Sequence, residues 1–280
     1  MKAKRSLGQN FLVDRNYRER IVRAASPVAG ETIIEIGPGQ GALTGDLLKT
    51  GAQIVAVELD RELAEHLREQ FTGFDNLNLI ESDALKVDYC LSIRPQSHAR
   101  VIANLPYYIS TPIIERLISA RTCITEMILM LQREVVDRLV AQPGSKDYGY
   151  FSVFTQFYCE VSRLFHVPPS AFRPSPKVYS SVVRLKVREK PAVEVSSPDY
   201  FITVAQVIFA QRRKTLLNNL KAGAARLGLE KMTNYDAIAT RSGIDLRRRG
   251  ETLSMTEIAK LATALGAPGS AWERRSLTGA

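Results

Sequence analysis

The segment Thr32 to Thr44 reads TIIEIGPGQGALT, a run of β-branched residues followed by three closely spaced glycines. The run TIIEI has the composition of a buried strand, and the glycines let the backbone turn tightly and approach a ligand. The residues after the turn predict a helix that begins near Gly41. The segment therefore predicts a strand, a turn and a helix, but on its own it does not identify a ligand.

Four further apolar runs follow at regular intervals, separated by stretches with helical patterns, and a helix is also expected from Asp14 to about Ala25. Alternation of strands and helices predicts parallel strands joined by crossover helices, and hence an α/β fold with a Rossmann-like sheet and helices on both faces. The five predicted strands are TIIEI (32–36), QIVAVE (53–58), LNLIE (77–81), RVIAN (100–104) and EMILML (126–131).

The character of the chain changes after the last strand. VREKPAVEVSSPD contains two prolines, and the segments YFITVAQVIFAQRRKTLLNNL and MTEIAKLATAL that follow have helical patterns. We expect a linker at about residues 188–198. The predicted domains are residues 1–190, which include a basic N-terminal arm, and a small all-helical domain at residues 191–280.

Composition limits the class of protein. No run of about 18 apolar residues is present, and no apolar stretch follows the basic N-terminus MKAKRSLGQN, so we expect neither a membrane span nor a signal peptide and place the protein in the cytoplasm. Three cysteines and three histidines are widely spaced. We therefore expect no zinc site and no disulfide framework.

The net charge is +9, from 38 basic and 29 acidic residues, and residues 195–280 carry 13 basic and 7 acidic residues of that total. Such a balance favours a polyanionic partner that binds mainly to the C-terminal domain. A generally solvated basic surface is the alternative interpretation.

Acidic residues follow the second and third predicted strands. Glu58 ends the strand QIVAVE, where a carboxylate can bind ribose hydroxyls, and Asp83 follows LNLIE, where it can accept a hydrogen bond from an adenine amino group. Gly37, Gly39 and Ala42 also fit a nicotinamide-binding loop, and either acid could instead cap the next helix. The glycine loop, Glu58 and Asp83 on three successive strands favour a ligand that contains adenosine.

The fourth predicted strand ends in NLPYYIST, Asn104 to Thr111. The Asn104 side chain and the Leu105 carbonyl can accept hydrogen bonds from an exocyclic amine, while Tyr107 offers a flat face on which a base can stack. Thr111 is predicted to cap the following helix. The alternative interpretation is an ordinary turn with two core tyrosines.

NLPYYIST resembles the catalytic motif of adenine N6 methyltransferases that use S-adenosylmethionine. Together the motifs of the chain resemble, in order, the small-subunit ribosomal RNA adenine N6,N6-dimethyltransferase family. These motifs are QNFLVD, EIGPGQGALT, VELD, SDAL, NLPYYISTP, FRPSPKVYSSVV and QRRKTLLNNL. The resemblance implies a Rossmann-like methyltransferase sheet, S-adenosylmethionine as the cofactor, and dimethylation of two adjacent adenosines near the 3′ end of small-subunit ribosomal RNA in an assembling subunit.

The resemblance also implies roles for particular residues. Asn104, Leu105 and Tyr107 would act on the target adenosine, with Phe172 on the other face of the base, although Phe172 could equally be a packed loop anchor. Cofactor contacts are implied for Asn10, Leu12, Gly37, Glu58, Asp83, Ala84 and Asn104. No metal is implied, and nothing in the sequence requires more than a monomer.

Basic residues are the candidates for phosphate contacts, which position an RNA without reading its sequence. The candidates are Arg212, Arg213, Lys214, Arg247, Arg248 and Arg249, with Lys2, Lys4 and Arg5 in the N-terminal arm. Two other functions stay open at this point: methylation of large-subunit ribosomal RNA, and a ribosome-assembly factor without catalytic activity.

Overall fold

The computed structural model describes residues 9–230 and 232–266. The N-terminal candidates Lys2, Lys4 and Arg5 lie outside the described residues. The strands are β1 (Phe11–Leu12), β2 (Thr32–Ile36), β3 (Gln53–Glu58), β4 (Leu77–Glu81), β5 (Ala99–Asn104), β6 (Ile124–Gln132), β7 (Cys159–Val167), β8 (Phe172–Arg173) and β9 (Ser180–Val187). The five predicted strands are confirmed as β2 to β6; four of them are mostly buried apolar runs, and β4, at the edge of the sheet, is partly exposed.

Helices connect these strands and form the C-terminal part of the chain. They are α1 (Arg15–Ala25), α2 (Ala42–Leu48), α3 (Arg61–Gln70), α4 (Tyr89–Ser92), α5 (Ser110–Ser119), α6 (Arg133–Val140), α7 (Tyr150–Tyr158), α8 (Pro198–Ile208), α9 (Leu216–Ala222), α10 (Tyr235–Ser242) and α11 (Met255–Leu265). Several begin at side chains that accept a hydrogen bond from the first turn, as Asp14 does for α1 and Asp60 for α3.

The main sheet has seven strands in the order β4-β3-β2-β5-β6-β9-β7. The first five are parallel to one another, whereas β9 runs antiparallel to both β6 and β7. Chain order reverses between β2 and β5, which lie side by side. In open α/β sheets the crevice at the carboxyl ends of two such strands is the usual ligand site.

A separate two-stranded ribbon pairs β1 with β8, and in it Leu12 lies opposite Phe172. Both residues are buried in the same apolar core as Ile33, Ile54 and Ile102 from the central strands. The ribbon therefore fastens the segment before α1 to the core of the sheet.

The chain forms two compact units. The first extends to Asp137 and resumes with Cys159–Arg188, and the second contains Arg138–Tyr158 and continues from Glu189. The sequence predicts a single boundary near residue 190. The structure adds a second division within α6, because α7 packs with the second unit, where Phe157 stacks on Phe201 with ring centroids 4.4 Å apart.

The expectation that the chain has no disulfide is wrong. Cys90 in α4 and Cys123 before β6 are bonded, with Cα atoms 5.5 Å apart, and Cys159 is a buried free thiol. The bonded pair is separated by 33 positions in the sequence, so only the packing of α4 beside the start of β6 brings the two together.

In the described ranges, no helix has the length and apolar character needed to cross a membrane. The same residues contain no group of three or more histidine, cysteine, aspartate or glutamate side chains placed to hold a metal ion.

Candidate active site

A cavity of about 390 Å³ lies at the carboxyl edge of the parallel strands in the first unit. Its volume is within the range of small-molecule sites. Nine of the ten residues predicted from the sequence for the cofactor and the reaction line this cavity: Asn10, Leu12, Gly37, Glu58, Asp83, Ala84, Asn104, Leu105 and Tyr107. Gly39 of the glycine loop also lines it.

The glycine loop after β2 forms one wall of the cavity. Gly37, Gly39 and Gly41 have φ angles of 66°, 59° and 75°, which side chains rarely adopt. A Cβ atom on Gly39 would lie 3.0 Å from the ring of Phe11, and one on Gly41 would lie 2.6 Å from the ring of Phe71. Both the backbone conformation and the close packing therefore require glycine in this loop.

Glu58 and Asp83 line the cavity at the ends of β3 and β4. Glu58 is 6% exposed, and its two oxygens accept hydrogen bonds from the backbone N–H groups of Gly39 and Asp60, at 3.1 Å and 2.9 Å. Burial raises the pKa of Glu58, while these hydrogen bonds act in the opposite direction. Asp83 accepts a hydrogen bond from the N–H of Leu85 at 2.9 Å. Each carboxylate therefore shapes its own loop and still faces the cavity.

Sequence reasoning missed a third carboxylic acid at the cavity. Glu35, in the strand that precedes the glycine loop, is 2% exposed, and its Oε2 has no hydrogen-bond partner. Burial, with a smaller contribution from the nearby charge of Glu58, raises its pKa to about 8. An acidic residue inside an otherwise apolar strand was the available sequence signal, because an unpaired carboxyl is rarely buried without a use.

Asn104 ends β5 and lines the same cavity. Its Nδ2 donates a hydrogen bond of 3.2 Å to the backbone carbonyl of Asn10. A carbonyl only accepts hydrogen bonds, so the amide nitrogen must face Asn10 and the amide oxygen must face away from it. No group among the described residues donates to Oδ1, which leaves that oxygen as a free acceptor at the cavity.

Leu105 and Tyr107 continue the same wall. The Leu105 N–H donates to the carbonyl of Met130 at 3.1 Å, which fixes the peptide after Asn104. The Tyr107 hydroxyl lies 2.6 Å from Oγ of the buried Ser180, and burial raises the pKa of Tyr107. The ring is thus held at both ends, by its backbone and by its hydroxyl.

The prediction that Thr111 caps the helix after this motif is wrong. Residues Tyr107–Ile109 form a 3₁₀ turn, and α5 begins directly after it at Ser110, with Ile109 at the cap and no side-chain hydrogen bond. The Ser110 hydroxyl instead donates to the carbonyl of Tyr107 at 3.1 Å. The continuous turn and helix leave no extended residue at which Thr111 could cap.

The structure does not bring Phe172 to the cavity. Phe172 is completely buried opposite Leu12 in the ribbon of β1 and β8, and it packs in the apolar core. In this conformation it has no free face for a base, and its packing is that expected from the alternative interpretation, a packed loop anchor.

The basic candidates in the second unit divide into two groups. Arg212, Arg247 and Arg248 pair with Glu251, Asp245 and Glu257, at 2.8 Å, 3.0 Å and 2.5 Å. Arg213, Lys214 and Arg249 are exposed and have no carboxylate partner among the described residues.

Arg248 is the candidate most clearly tied to the fold. It also donates to the carbonyl of Thr252 at 2.8 Å, and its partner Glu257 closes the capping box of α11 with Ser254. The hydrogen bond from Arg248 lowers the pKa of Glu257 to about 2. Arg248 therefore stabilises the start of α11, and the three unpaired cations are better placed to meet phosphate.

The order and direction of the strands distinguish between the two ligands considered for the glycine loop, a nicotinamide cofactor and S-adenosylmethionine. A nicotinamide-binding sheet continues past its fifth strand with a parallel sixth strand. Here the fifth parallel strand, β6, is followed along the sheet by the antiparallel strands β9 and β7, and a carboxamide and a tyrosine follow β5. The first unit is a Rossmann-like methyltransferase domain.

Comparisons with known proteins make this class more specific. The family model described as ribosomal RNA adenine dimethylase matches residues 1–261, and the chain belongs to that family. It is 46% identical, over 94% of its length and 92% of the relative, to a protein of Moorella thermoacetica named ribosomal RNA small subunit methyltransferase A. A protein of Geobacter sulfurreducens with the same name is 46% identical over 96% of this chain and 97% of the relative.

Solved structures agree with this assignment. A dimethyladenosine transferase from Plasmodium falciparum superposes with a TM-score of 0.72 and 26% identity, over 90% of this chain and 95% of that chain. The 23S rRNA methyltransferase ErmE superposes with a TM-score of 0.67 over 91% of this chain and 99% of that chain. Its 24% identity shows a common fold alone.

Proposed function

We propose that this protein transfers methyl groups from S-adenosylmethionine to N6 of two adjacent adenosines near the 3′ end of small-subunit ribosomal RNA. Each adenosine is methylated twice, and the RNA is bound within an assembling small subunit by a monomer in the cytoplasm. The names of the relatives support the choice of the small subunit. The observation that carries the chemistry is the orientation of the Asn104 amide, which presents a free oxygen to the cavity.

The cavity fits S-adenosylmethionine. A ligand with a positively charged sulfur and amino group would supply the partner that the buried Oε2 of Glu35 lacks, and its positive charge would favour ionisation of this carboxyl group. When bound, the cofactor supplies a methyl group on that sulfur, which makes the methyl carbon open to attack. We assign the cofactor contacts to Asn10, Leu12, Gly37, Glu58, Asp83, Ala84 and Asn104.

Asn104 and Leu105 prepare the amine of the target base. The lone pair of an exocyclic amine is delocalised into the ring, so the amine is a weak nucleophile. If its two N–H groups donate to Oδ1 of Asn104 and to the carbonyl of Leu105, the nitrogen is held in a more tetrahedral geometry and its lone pair is directed at the methyl carbon. The alkylated nitrogen is more acidic and loses its proton to solvent, so no general base is required.

Tyr107 holds the target base by stacking, and its hydroxyl bond to Ser180 fixes the angle of the ring. Base stacking on an aromatic side chain contributes about 1–3 kcal/mol, enough to offset much of the cost of removing the adenosine from its own stack. The three unpaired cations of the second unit, Arg213, Lys214 and Arg249, bind RNA phosphates.

The variant Asn104→Ala tests the mechanism. The substrate is purified small-subunit particles from cells that lack the protein. We expect transfer of labelled methyl groups to fall at least about 100-fold, because the substitution removes the amide oxygen that orients the target amine. Particle binding should be retained, because the contacts to RNA phosphates are unchanged. Asn78→Ala, which changes an exposed asparagine on β4, is the matched control and should transfer normally. Turnover of Asn104→Ala at the wild-type rate would contradict the mechanism.

Mass-spectrometric mapping of ribosomal RNA tests the target. Cells without the protein should lack dimethyladenosine at two adjacent positions near the 3′ end of the small-subunit RNA, and restoring the gene should return both. If the methyl groups were lost only from large-subunit RNA, the target assignment would be wrong. Wild-type levels of all dimethyladenosines would instead favour an assembly factor without catalysis.

A further inference from the structure

Two of the ten tyrosines differ from all the others. Tyr108 and Tyr179 are each 53% exposed, and neither side chain makes a hydrogen bond or a ring contact with any described residue. The other eight are buried or partly buried. Several of them show how the side chain is normally held, as Tyr89 donates to the carbonyl of Ala84 at 2.7 Å and Tyr107 is bonded to Ser180. Among the tyrosines, side chains that are both exposed and without a contact are therefore confined to these two positions.

Both tyrosines lie at the edge of the sheet that carries the cavity. Tyr108 follows Tyr107 in the 3₁₀ turn and lines the cavity. Tyr179 directly precedes Ser180, whose Oγ is 2.6 Å from the hydroxyl of Tyr107. The two free rings are thus carried by backbone segments that meet at the residue proposed to hold the target base.

These segments are fixed although their aromatic rings are free. The Tyr179 carbonyl accepts a hydrogen bond of 2.9 Å from the N–H of Arg133, at the end of β6, and Gln132 pairs with Ser180. The turn that bears Tyr108 runs without interruption into α5. A rigid backbone beneath an exposed aromatic ring reduces the entropy lost when a flat ligand binds to it.

A single-stranded RNA has the chemistry that such faces recognise. An adenosine enters a pocket only after it has left its stack, so the bases on either side of it each lose a stacking partner. Aromatic side chains are the usual replacement, because every base has a flat face. Lys177, exposed and without a carboxylate partner among the described residues, lies two positions before Tyr179 and adds a positive charge for the backbone of that strand.

We propose that Tyr108 and Tyr179 stack on the nucleotides that flank the adenosine held in the cavity, so that the second adenosine of the adjacent pair is held on a tyrosine while the first is methylated. This inference rests on the proposed function. It assigns both residues a positioning role in substrate binding and leaves the transfer itself to Asn104, Leu105 and Tyr107.

The variants Tyr108→Ala and Tyr179→Ala test the proposal in the full-length protein, with unmethylated small-subunit particles as the substrate. Each should raise KM for the particle about five- to tenfold, the effect of about 1–1.4 kcal/mol at the lower end of base stacking, because each ring is already partly covered. The dissociation constant for S-adenosylmethionine, measured by calorimetry, should stay unchanged.

The conservative variants Tyr108→Phe and Tyr179→Phe keep the flat face and should stay within about twofold of wild-type KM. Leu91→Ala, which removes an apolar side chain that is 60% exposed on α4, controls for the loss of exposed apolar surface and should leave KM unchanged. Wild-type KM in both alanine variants, or phenylalanine variants as weak as alanine, would overturn the stacking role.

Failure of the proposed function gives a different result. If the wild-type protein transfers no methyl group to adenosine in the particles, the proposed function fails and this inference fails with it. If wild-type protein transfers normally and the alanine variants match it in KM, only the role of the two tyrosines is wrong.

Discussion

Replacement of Glu35 by glutamine should change how the stability of the protein depends on pH. Glu35 is buried in β2, its Oε2 has no partner, and burial raises its pKa from 4.5 to about 8. The nearby charge of Glu58 acts in the same direction. At neutral pH the folded protein therefore holds a proton on Glu35 that the unfolded chain has released.

The direction and size of the effect follow from proton linkage. Below pH 4.5 both states bind the proton, and the neutral carboxyl costs nothing extra; as pH rises towards 8 only the folded state binds it, and the free energy of unfolding falls. The slope is about 1.4 kcal/mol per pH unit, so the wild-type protein should lose about 3 kcal/mol between about pH 5 and 7.5 through this group. Glu35→Gln has no proton to lose and escapes this loss.

Urea denaturation followed by circular dichroism, at intervals from about pH 5 to 8.5, measures the difference between the two proteins. Groups that titrate in both proteins cancel, so the free energy of unfolding of Glu35→Gln relative to wild type should rise by about 3 kcal/mol across this range. Glu69→Gln makes the same chemical change at an exposed position of α3 and should show no pH-dependent difference. A difference between Glu35→Gln and wild type that stays constant with pH would refute the reasoning.

Three other predictions follow from contacts in the structure. Cys90→Ser should lower the free energy of unfolding by about 3–4 kcal/mol without reductant, because the bond to Cys123 closes a loop of 33 positions, and a reducing agent should remove the difference in denaturant midpoints. Tyr107→Phe removes the hydroxyl bond to Ser180 and should lower kcat several-fold with unchanged cofactor affinity, measured by methyl transfer and calorimetry; normal kcat would show that the ring needs no anchor. Arg213→Ala should weaken RNA binding and reduce the slope of log affinity against log salt by about 1, whereas Arg248→Ala should lower the thermal stability of the protein by about 1 kcal/mol and leave that slope unchanged.

The parallel part of the sheet could be predicted from sequence for a local reason. β2, β3, β5 and β6 are mostly buried, so their apolar runs are nearly continuous and their ends are marked by charged, glycine or polar residues. β4 lies at the edge of the sheet, and its shorter run is interrupted by the exposed Asn78. The bounds of β2, β3 and β4 agree with the predicted runs TIIEI, QIVAVE and LNLIE to the residue.

The antiparallel strands β7 and β9 were not predicted, and their patterns explain why. β7 is at the edge of the sheet, and its sequence CEVSRLFHV alternates between exposed and partly buried residues without a long apolar run. β9 follows the proline-rich segment 174–179, which reads as a loop. Their position beside β6 depends on pairing between segments distant in the chain, and local composition does not specify such pairing.

In the candidate site, too, the sequence indicates which chemical groups are present but not how each one is buried or oriented. Glycines, carboxylates and the residues of NLPYYIST could be identified from sequence, because strand ends in a parallel sheet converge on one edge. Burial could not: Phe172 and the pair Cys90 and Cys123 are each placed by packing with residues far away in the sequence. Chemical type is local, whereas the face that a side chain presents is a property of the whole fold.

Asn104 illustrates why orientation matters most for the proposed chemistry. An amide at the end of a strand can present either a donor or an acceptor, and the target amine requires an acceptor. The choice is made by the carbonyl of Asn10, 94 positions away, just before β1. β1 is in turn held by its pairing with β8, where Leu12 lies opposite Phe172. The burial of Phe172 therefore bears on the reaction although its ring does not reach the cavity: it fastens the strand whose neighbouring carbonyl directs the Asn104 oxygen towards the substrate.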